Sequence, residues 1–172
     1  MQEKQKTHKV YLSIGSNIGD KAKNLKDTLE IIQQHGHMDL LSVSPFYKTE
    51  PQNYKDQDWF VNAAVKISTY LSPERLLAEL KHIEKSLDKE GKVFRFGPRI
   101  IDLDIIYYDD LVYKSNELEI PHPRMHERCF VLVPLCDIAS EEIHPLLNVR
   151  SDELLKKLKS EEAQKVIPLE ES

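Results

Sequence analysis

Thirteen consecutive residues, Phe94-Arg95-Phe96-Gly97-Pro98-Arg99-Ile100-Ile101-Asp102-Leu103-Asp104-Ile105-Ile106, combine two guanidinium groups, two carboxylates and two aromatic rings. Ile101 to Ile106 alternates as a half-buried strand does. That puts Leu103 and Ile105 on one face and Asp102 and Asp104 on the other. Two strand steps set the carboxylates roughly 6.5 Å apart along the chain. They can then ligate one hard cation or bridge two. Magnesium suits such a pair, because it takes oxygen ligands and shares its coordination with substrate phosphates. Arg95 and Arg99 arrive on the loop just before, and a planar guanidinium matches phosphate oxygens. The same pattern also describes a strand whose two solvated acids pair with nearby arginines. Spacing alone leaves both readings open.

Other residues carry chemistry with the same ambiguity. Phe94 and Phe96 sit in a loop, Asp88 to Pro98, that is otherwise charged and also holds Lys89, Lys92 and Arg95. The rings either pin the loop to the core or stack on a planar ligand. Asn62 interrupts an apolar strand. Its amide can satisfy a backbone group or read the edge of a heterocycle, since it offers both donors and an acceptor. Gly15 to Asp20 makes a glycine-containing turn between a strand and a helix, but it lacks Gly-Lys-Ser/Thr and the dinucleotide fingerprint, so a structural turn is expected. Glu84 flanks the apolar face of a helix, where a solvated acid is the ordinary case. His122 and His126 are four apart, but Pro123 lies between them and no Glu-x-x-His accompanies them, which argues against a zinc pair.

The elements that must position these residues follow from periodicity. Val10 to Ile14 reads as a buried first strand. Asp20 caps a helix with Leu25, Leu29 and Ile32 on one face, ending at Gly36. Asp39 to Tyr47 reads as a second strand, at an edge or bulged because of Pro45. Trp59 to Ser68 reads as a third, with Phe60, Asn62, Ala64 and Lys66 on one face. Ser72-Pro73 starts a second helix that carries Leu76, Leu80, Ile83 and Leu87. Beyond the Asp102 strand, Asp109-Asp110 turns into a short hairpin around Val112-Tyr113. Met125, Cys129, Leu132 and Cys136 have helical spacing, interrupted near Pro134. His144-Pro145 is expected to be a surface turn, and Ser151 to Leu158 a short amphipathic helix. The order β-α-β-β-α-β predicts a ferredoxin-like α+β sandwich, with helices on one face of a mainly antiparallel sheet. One domain is expected over 9–160, with a disordered lead at 1–8 and a loose tail at 161–172.

The totals narrow the class. The chain has 172 residues, 24 basic and 29 acidic side chains and a net charge of −5. A global nucleic-acid or anionic-membrane binder leans basic, so neither partner is expected. No apolar run is long enough to span a bilayer, and no signal-type apolar region follows the polar residues 1–9. Cys129 and Cys136 suggest neither a disulfide frame nor a zinc site, consistent with a reducing compartment and a cytoplasmic protein. A monomer is expected.

Taken together the motifs resemble the 6-hydroxymethyl-7,8-dihydropterin pyrophosphokinase family. The resemblance runs collinearly from Val10 to Ala139. It rests on Tyr11-Leu12-Ser13-Ile14-Gly15-Ser16-Asn17-Ile18-Gly19-Asp20, Ser44-Pro45-Phe46-Tyr47-Lys48-Thr49, Phe60-Val61-Asn62-Ala63-Ala64-Val65, Phe96-Gly97-Pro98-Arg99-Ile100-Ile101-Asp102-Leu103-Asp104-Ile105, and the run from Ile120-Pro121-His122-Pro123-Arg124 to Arg128-Cys129-Phe130-Val131-Leu132-Val133-Pro134-Leu135.

It implies transfer of the β,γ-pyrophosphoryl unit of ATP to a dihydropterin alcohol in folate biosynthesis, leaving AMP. It also implies two magnesium ions and a mobile catalytic loop. By this resemblance Asp102 and Asp104 hold the metals. Arg99, His122 and Arg128 match positions that contact the triphosphate, and Glu84 and Ile105 match positions near the nucleotide. The pterin falls to Asn62, Thr49, main-chain groups near Glu50 and Gln52, Phe60, Asp102, and a sandwich of Phe96 and Phe130. Phe96 stands where the family commonly has tryptophan. Many relatives carry two arginines in the catalytic loop. Counting back from Gly97, those positions are Lys89 and Gly91 here, with Lys92 as a substitute cation. Lysine keeps the charge and loses the bidentate fork. Pro123 and Glu117 also depart from some relatives, which have tyrosine and arginine there. A competing class is an RNA-binding module, since ferredoxin-like sheets can stack single-stranded RNA on exposed aromatics. The acidic charge and the lack of an aromatic-rich RNA motif on the first or third strand count against it.

Overall fold

The computed structural model describes residues 6–52, 55–88, 98–161 and 164–170. The chain's longest buried run makes β1 (His8–Ser16), whose last seven residues are all buried. This strand is longer than the expected Val10 to Ile14 and takes in His8 and Gly15, so neither the lead nor the turn extends as far as expected. The helix α1 (Lys21–Gln34) begins where the Asp20 carboxylate accepts from the Lys23 N–H at 3.2 Å, and it buries Leu25 and Ile32.

The second strand divides in two, β2 (Met38–Val43) and β3 (Tyr47–Thr49). Pro45 has no N–H for the ladder, so pairing breaks there. The Ser44 hydroxyl takes over one place by accepting from the Ala64 N–H at 2.8 Å. Ala64 lies in β4 (Phe60–Thr69), which pairs with β1 along one edge and with β2 and then β3 along the other. Ser72 caps α2 (Pro73–Leu87), accepting from the Arg75 N–H, with Pro73 in the first turn. Next come β5 (Asp102–Tyr108), antiparallel to β1, and the hairpin of β6 (Tyr113–Lys114) and β7 (Glu119–Ile120). The chain ends with α3 (Cys129–Ala139), α4 (Ser151–Glu161) and β8 (Val166–Pro168).

The strand order is β5-β1-β4-β3-β8, with β2 also on β4, and every pairing is antiparallel. This is the expected ferredoxin-like sandwich. On one face of the sheet, Val10, Leu12, Ile14, Leu103 and Ile105 form a core with Leu25 and Ile32 of α1 and Leu76, Leu80 and Ile83 of α2. The other face is not left bare, contrary to expectation. Tyr11, Ala64 and Tyr107 join Leu132 and Leu135 of α3 and Leu154 and Leu158 of α4 in a second core.

Three further differences have local causes. The helix α3 runs unbroken through buried Pro134. The proline forfeits one helical bond, to the Phe130 carbonyl, and burial of Val131, Leu132 and Leu135 around it offsets that. His144 is not at the surface. The residue is 2% exposed, and Nδ1 accepts from the Leu146 and Leu147 N–H groups at 3.2 and 3.0 Å. The stretch expected as a loose tail supplies β8, which pairs with β3 from Tyr47↔Pro168 to Thr49↔Val166. Among the described residues, no helix is long and apolar enough to cross a membrane.

Candidate active site

Register across the sheet builds the floor of the site. Asp102 of β5 lies opposite Gly15 of β1, and Gly15 opposite Asn62 of β4. One row along, Asp104 faces Ser13, and Ser13 faces Ala64. Directly paired residues share a face, so both carboxylates and the amide emerge on the side that α3 and α4 cover only in part. There they border a cleft of about 480 Å³. Gly15 is required by its neighbour. A Cβ there would stand 2.3 Å from the Asn62 side-chain nitrogen and 3.3 Å from its Cγ. Asn62 is itself fixed, donating to the Ile14 carbonyl at 3.3 Å and accepting from the Thr49 hydroxyl at 2.5 Å. Its amide thus serves the backbone and lines the cleft at once.

The acid pair is strained electrostatically. Burial, then the charges of Asp102 and Glu84, push the Asp104 carboxyl up to about 7, against opposing pulls from Lys81 and Arg128. Glu84 is 4% exposed and lies behind the floor. One of its oxygens accepts from the Leu103 N–H at 2.8 Å, and the other pairs with Lys81 at 3.1 Å.

Cations and donors gather over the β5 end. The Arg99 N–H donates to the Asn17 side chain at 2.7 Å, and the Asn17 N–H returns a bond to the Arg99 carbonyl at 3.0 Å. Asn17 also donates to Gln57 at 2.7 Å. His122 is tied to β5 through its N–H and the Ile106 carbonyl at 3.1 Å. Burial and the Arg128 charge pull its imidazole down to about 4, so it is neutral at pH 7. Its Nδ1 accepts from the Arg124 N–H at 3.2 Å, which leaves the ring hydrogen on Nε2 as an uncharged donor. The Arg128 guanidinium lies 5.5 Å from the Phe130 ring centroid, and its Nε is buried without a hydrogen-bond partner among the described residues. A buried guanidinium N–H left over in this way fits an anionic ligand.

Comparison with known proteins gives the family. A family model described as 7,8-dihydro-6-hydroxymethylpterin-pyrophosphokinase matches residues 11–140. The chain belongs to this family. It is 41% identical over 131 residues to the 2-amino-4-hydroxy-6-hydroxymethyldihydropteridine pyrophosphokinase of Bacillus subtilis, covering 76% of this chain and 78% of that one. It is 46% identical over 145 residues to the folic acid synthesis protein FOL1 of Dictyostelium discoideum, covering 84% of this chain and 22% of that protein. The chain thus spans about a fifth of the length of that larger relative. A crystal structure of Plasmodium falciparum HPPK-DHPS with pteroate superposes with a TM-score of 0.74 at 18% identity, covering 93% of this chain and 44% of that one. At that identity the likeness speaks for the fold.

The pyrophosphokinase positions expected from sequence fall into three groups. Thr49, Glu50, Gln52, Phe60, Asn62, Arg99, Asp102, Asp104, His122, Arg128 and Phe130 all line the cleft. Glu84 and Ile105 do not. The Ile105 side chain belongs to the core on the opposite face, so any nucleotide contact there falls to its main chain. Lys89, Lys92 and Phe96, with Gly91, lie outside the described residues. The sequence reading missed Ser13, Pro51, Gln57 and Lys81 in the cleft wall and Asn17 behind it, and it assigned Gly15 to a turn. A small residue two before another small one on a central strand was the available signal for Ser13 and Gly15. Asn17 and Gln57 had none, because their roles depend on partners distant in sequence.

Proposed function

We propose that the chain transfers the β,γ-pyrophosphoryl unit of ATP to the hydroxymethyl group of 6-hydroxymethyl-7,8-dihydropterin, giving AMP and the pterin diphosphate in folate synthesis. One observation carries the reading: a single cleft brings an amide, an acid pair and a group of cations together. Thr49 and Asn62 come from β3 and β4, Asp102 and Asp104 from β5 at the edge of the sheet, and Lys81, Arg99, His122 and Arg128 line the same cleft.

Under this reading the Asn62 amide and the Thr49–Gln52 segment bind the pterin edge, Phe130 stacks on one face of its rings and Phe60 lines the pocket. Ring stacking would add about 0.5–1.5 kcal/mol beyond burial. Arg99, Arg128 and the uncharged His122 donor hold the triphosphate. Asp102 and Asp104 suit two magnesium ions. Their donors are all oxygen, and the charges of Asp102 and Glu84, which add to burial in raising Asp104, are what a divalent cation relieves. The described residues offer no cluster of three protein ligands, which leaves coordination places for phosphate oxygens and water. Bound there, magnesium would neutralise phosphoryl charge and ease deprotonation of the alcohol. Lys89 and Lys92 are assigned to the catalytic loop, and Phe96 to the second face of the pterin. The protein acts as a cytoplasmic monomer on two small molecules.

Replacement of either acid tests this reading. Asp102→Ala and Asp104→Ala each lower pterin-dependent AMP release by roughly 10²–10³-fold or more, the scale of lost transition-state electrostatics. Turnover near wild type in both variants would contradict it.

A further inference from the structure

The family match ends at residue 140, yet the cleft is tied to a side chain well beyond it. The helix α3 starts without a side-chain cap, because Arg128 occupies the N-cap and offers no acceptor. The N–H of Phe130, in the first turn, is taken instead by Gln164 Oε1 at 3.1 Å. The same amide donates from Nε2 to the Glu50 carbonyl at 2.6 Å. The Glu50 N–H in turn donates to the Lys165 carbonyl at 3.1 Å, and β8 then runs on along β3. Phe130 and Glu50 sit on different elements, and both line the cleft.

We propose that Gln164 is a positioning residue for the pterin end of the cleft. One planar amide, anchored by β8, sets the distance between the Phe130 backbone and the Glu50 backbone, and so the width of the slot that takes a flat ring. The geometry needs an acceptor and a donor on one rigid group, which a side-chain amide supplies. Two of the triphosphate contacts have separate anchors, with Arg99 held by Asn17 and His122 by the Ile106 carbonyl, and only Arg128 shares the first turn of α3 with Phe130. Gln164 therefore acts chiefly on one substrate. This inference rests on the pyrophosphokinase reading.

The test uses the full chain with Gln164→Ala and Gln164→Glu, measuring AMP release, KM for each substrate and thermal melting. Gln164→Ala raises the KM for the dihydropterin roughly threefold to tenfold, the scale of one or two net hydrogen bonds, with the KM for ATP within about twofold. Gln164→Glu keeps an acceptor for Phe130 but sets a carboxylate oxygen against the Glu50 carbonyl, and moves the pterin KM at least as far. An equal rise in both KM values alongside a fallen Tm would mean a general structural role and overturn the proposal. So would an unmoved pterin KM in both variants. Wild-type protein separates the two claims. Its failure to release AMP contradicts the pyrophosphokinase reading and this inference with it, whereas wild-type turnover with unmoved variants contradicts the inference alone.

Discussion

Asp104 and His122 line the same cleft and carry opposite perturbations. The Asp104 carboxyl is raised from 3.8 to about 7, so between those values the folded protein holds a proton that the unfolded chain releases. Its contribution is fully present below pH 3.8 and is lost as pH rises towards 7. His122 is lowered from 6.5 to about 4, so its contribution is present above pH 6.5 and is lost as pH falls towards 4. Melting curves of the metal-free protein between pH 4 and 7 should show the two substitutions tilting stability in opposite directions. Asp104→Asn gains on wild type as pH rises, and His122→Gln gains as pH falls. Parallel profiles for the two variants would contradict the assignments. Gly15→Ala is a second residue-scale case. It drives a methyl into the tethered Asn62 amide, and steady-state kinetics should show the pterin KM rising more than the ATP KM. At this scale the alternation of Asp102 and Asp104 was legible, because strand period alone fixes which side chains share a face. The choice between ligand and structural amide at Asn62 was not legible, because it depends on Gly15 and Thr49 across two strand pairings.

The elements show where local pattern is sufficient and where it is overridden. Both helix starts could be read directly, since Asp20 and Ser72 cap through contacts three residues away. The division of β2 from β3 was half legible. Pro45 announced a break, but the use of Ser44 as a stand-in acceptor depends on Ala64, twenty residues on. Ser44→Ala leaves that buried N–H unpaired, at a cost of about 1–3 kcal/mol. A thermal melt should then fall by roughly 2–4 °C per kcal/mol, with little change in the ATP KM; an unchanged Tm would show that the bond contributes nothing. The helix α3 was misread because an interior proline ordinarily stops a helix, and here burial on the second face of the sheet outweighs one lost bond. The strand β8 was missed because three residues with a proline carry little period-2 signal, and pairing with β3 decides their state.

Over the whole molecule, the two faces of the sheet divide the work. One is fully sealed by α1 and α2, and the other is sealed by α3 and α4 only far enough to leave the cleft open. The β-α-β-β-α-β element order behind this follows from the sequence, whereas the partial cover does not, since it depends on how far α3 reaches across β4 and β1. The stretch that carries Lys89, Gly91 and Lys92 lacks the two arginines that the resemblance to the family leads one to expect at the first two positions. If its role in transfer is reduced accordingly, Lys89→Ala costs less kcat than Arg99→Ala, and the reverse ranking would show that the lysine does the work of the missing fork. The most direct test of the account is the identity of the nucleotide product. The protein is incubated with ATP and magnesium, with and without 6-hydroxymethyl-7,8-dihydropterin, and the nucleotides are separated. The account predicts AMP, formed only when the pterin and magnesium are both present. ADP in its place, or no pterin-dependent turnover with Asp102 and Asp104 intact, would contradict it.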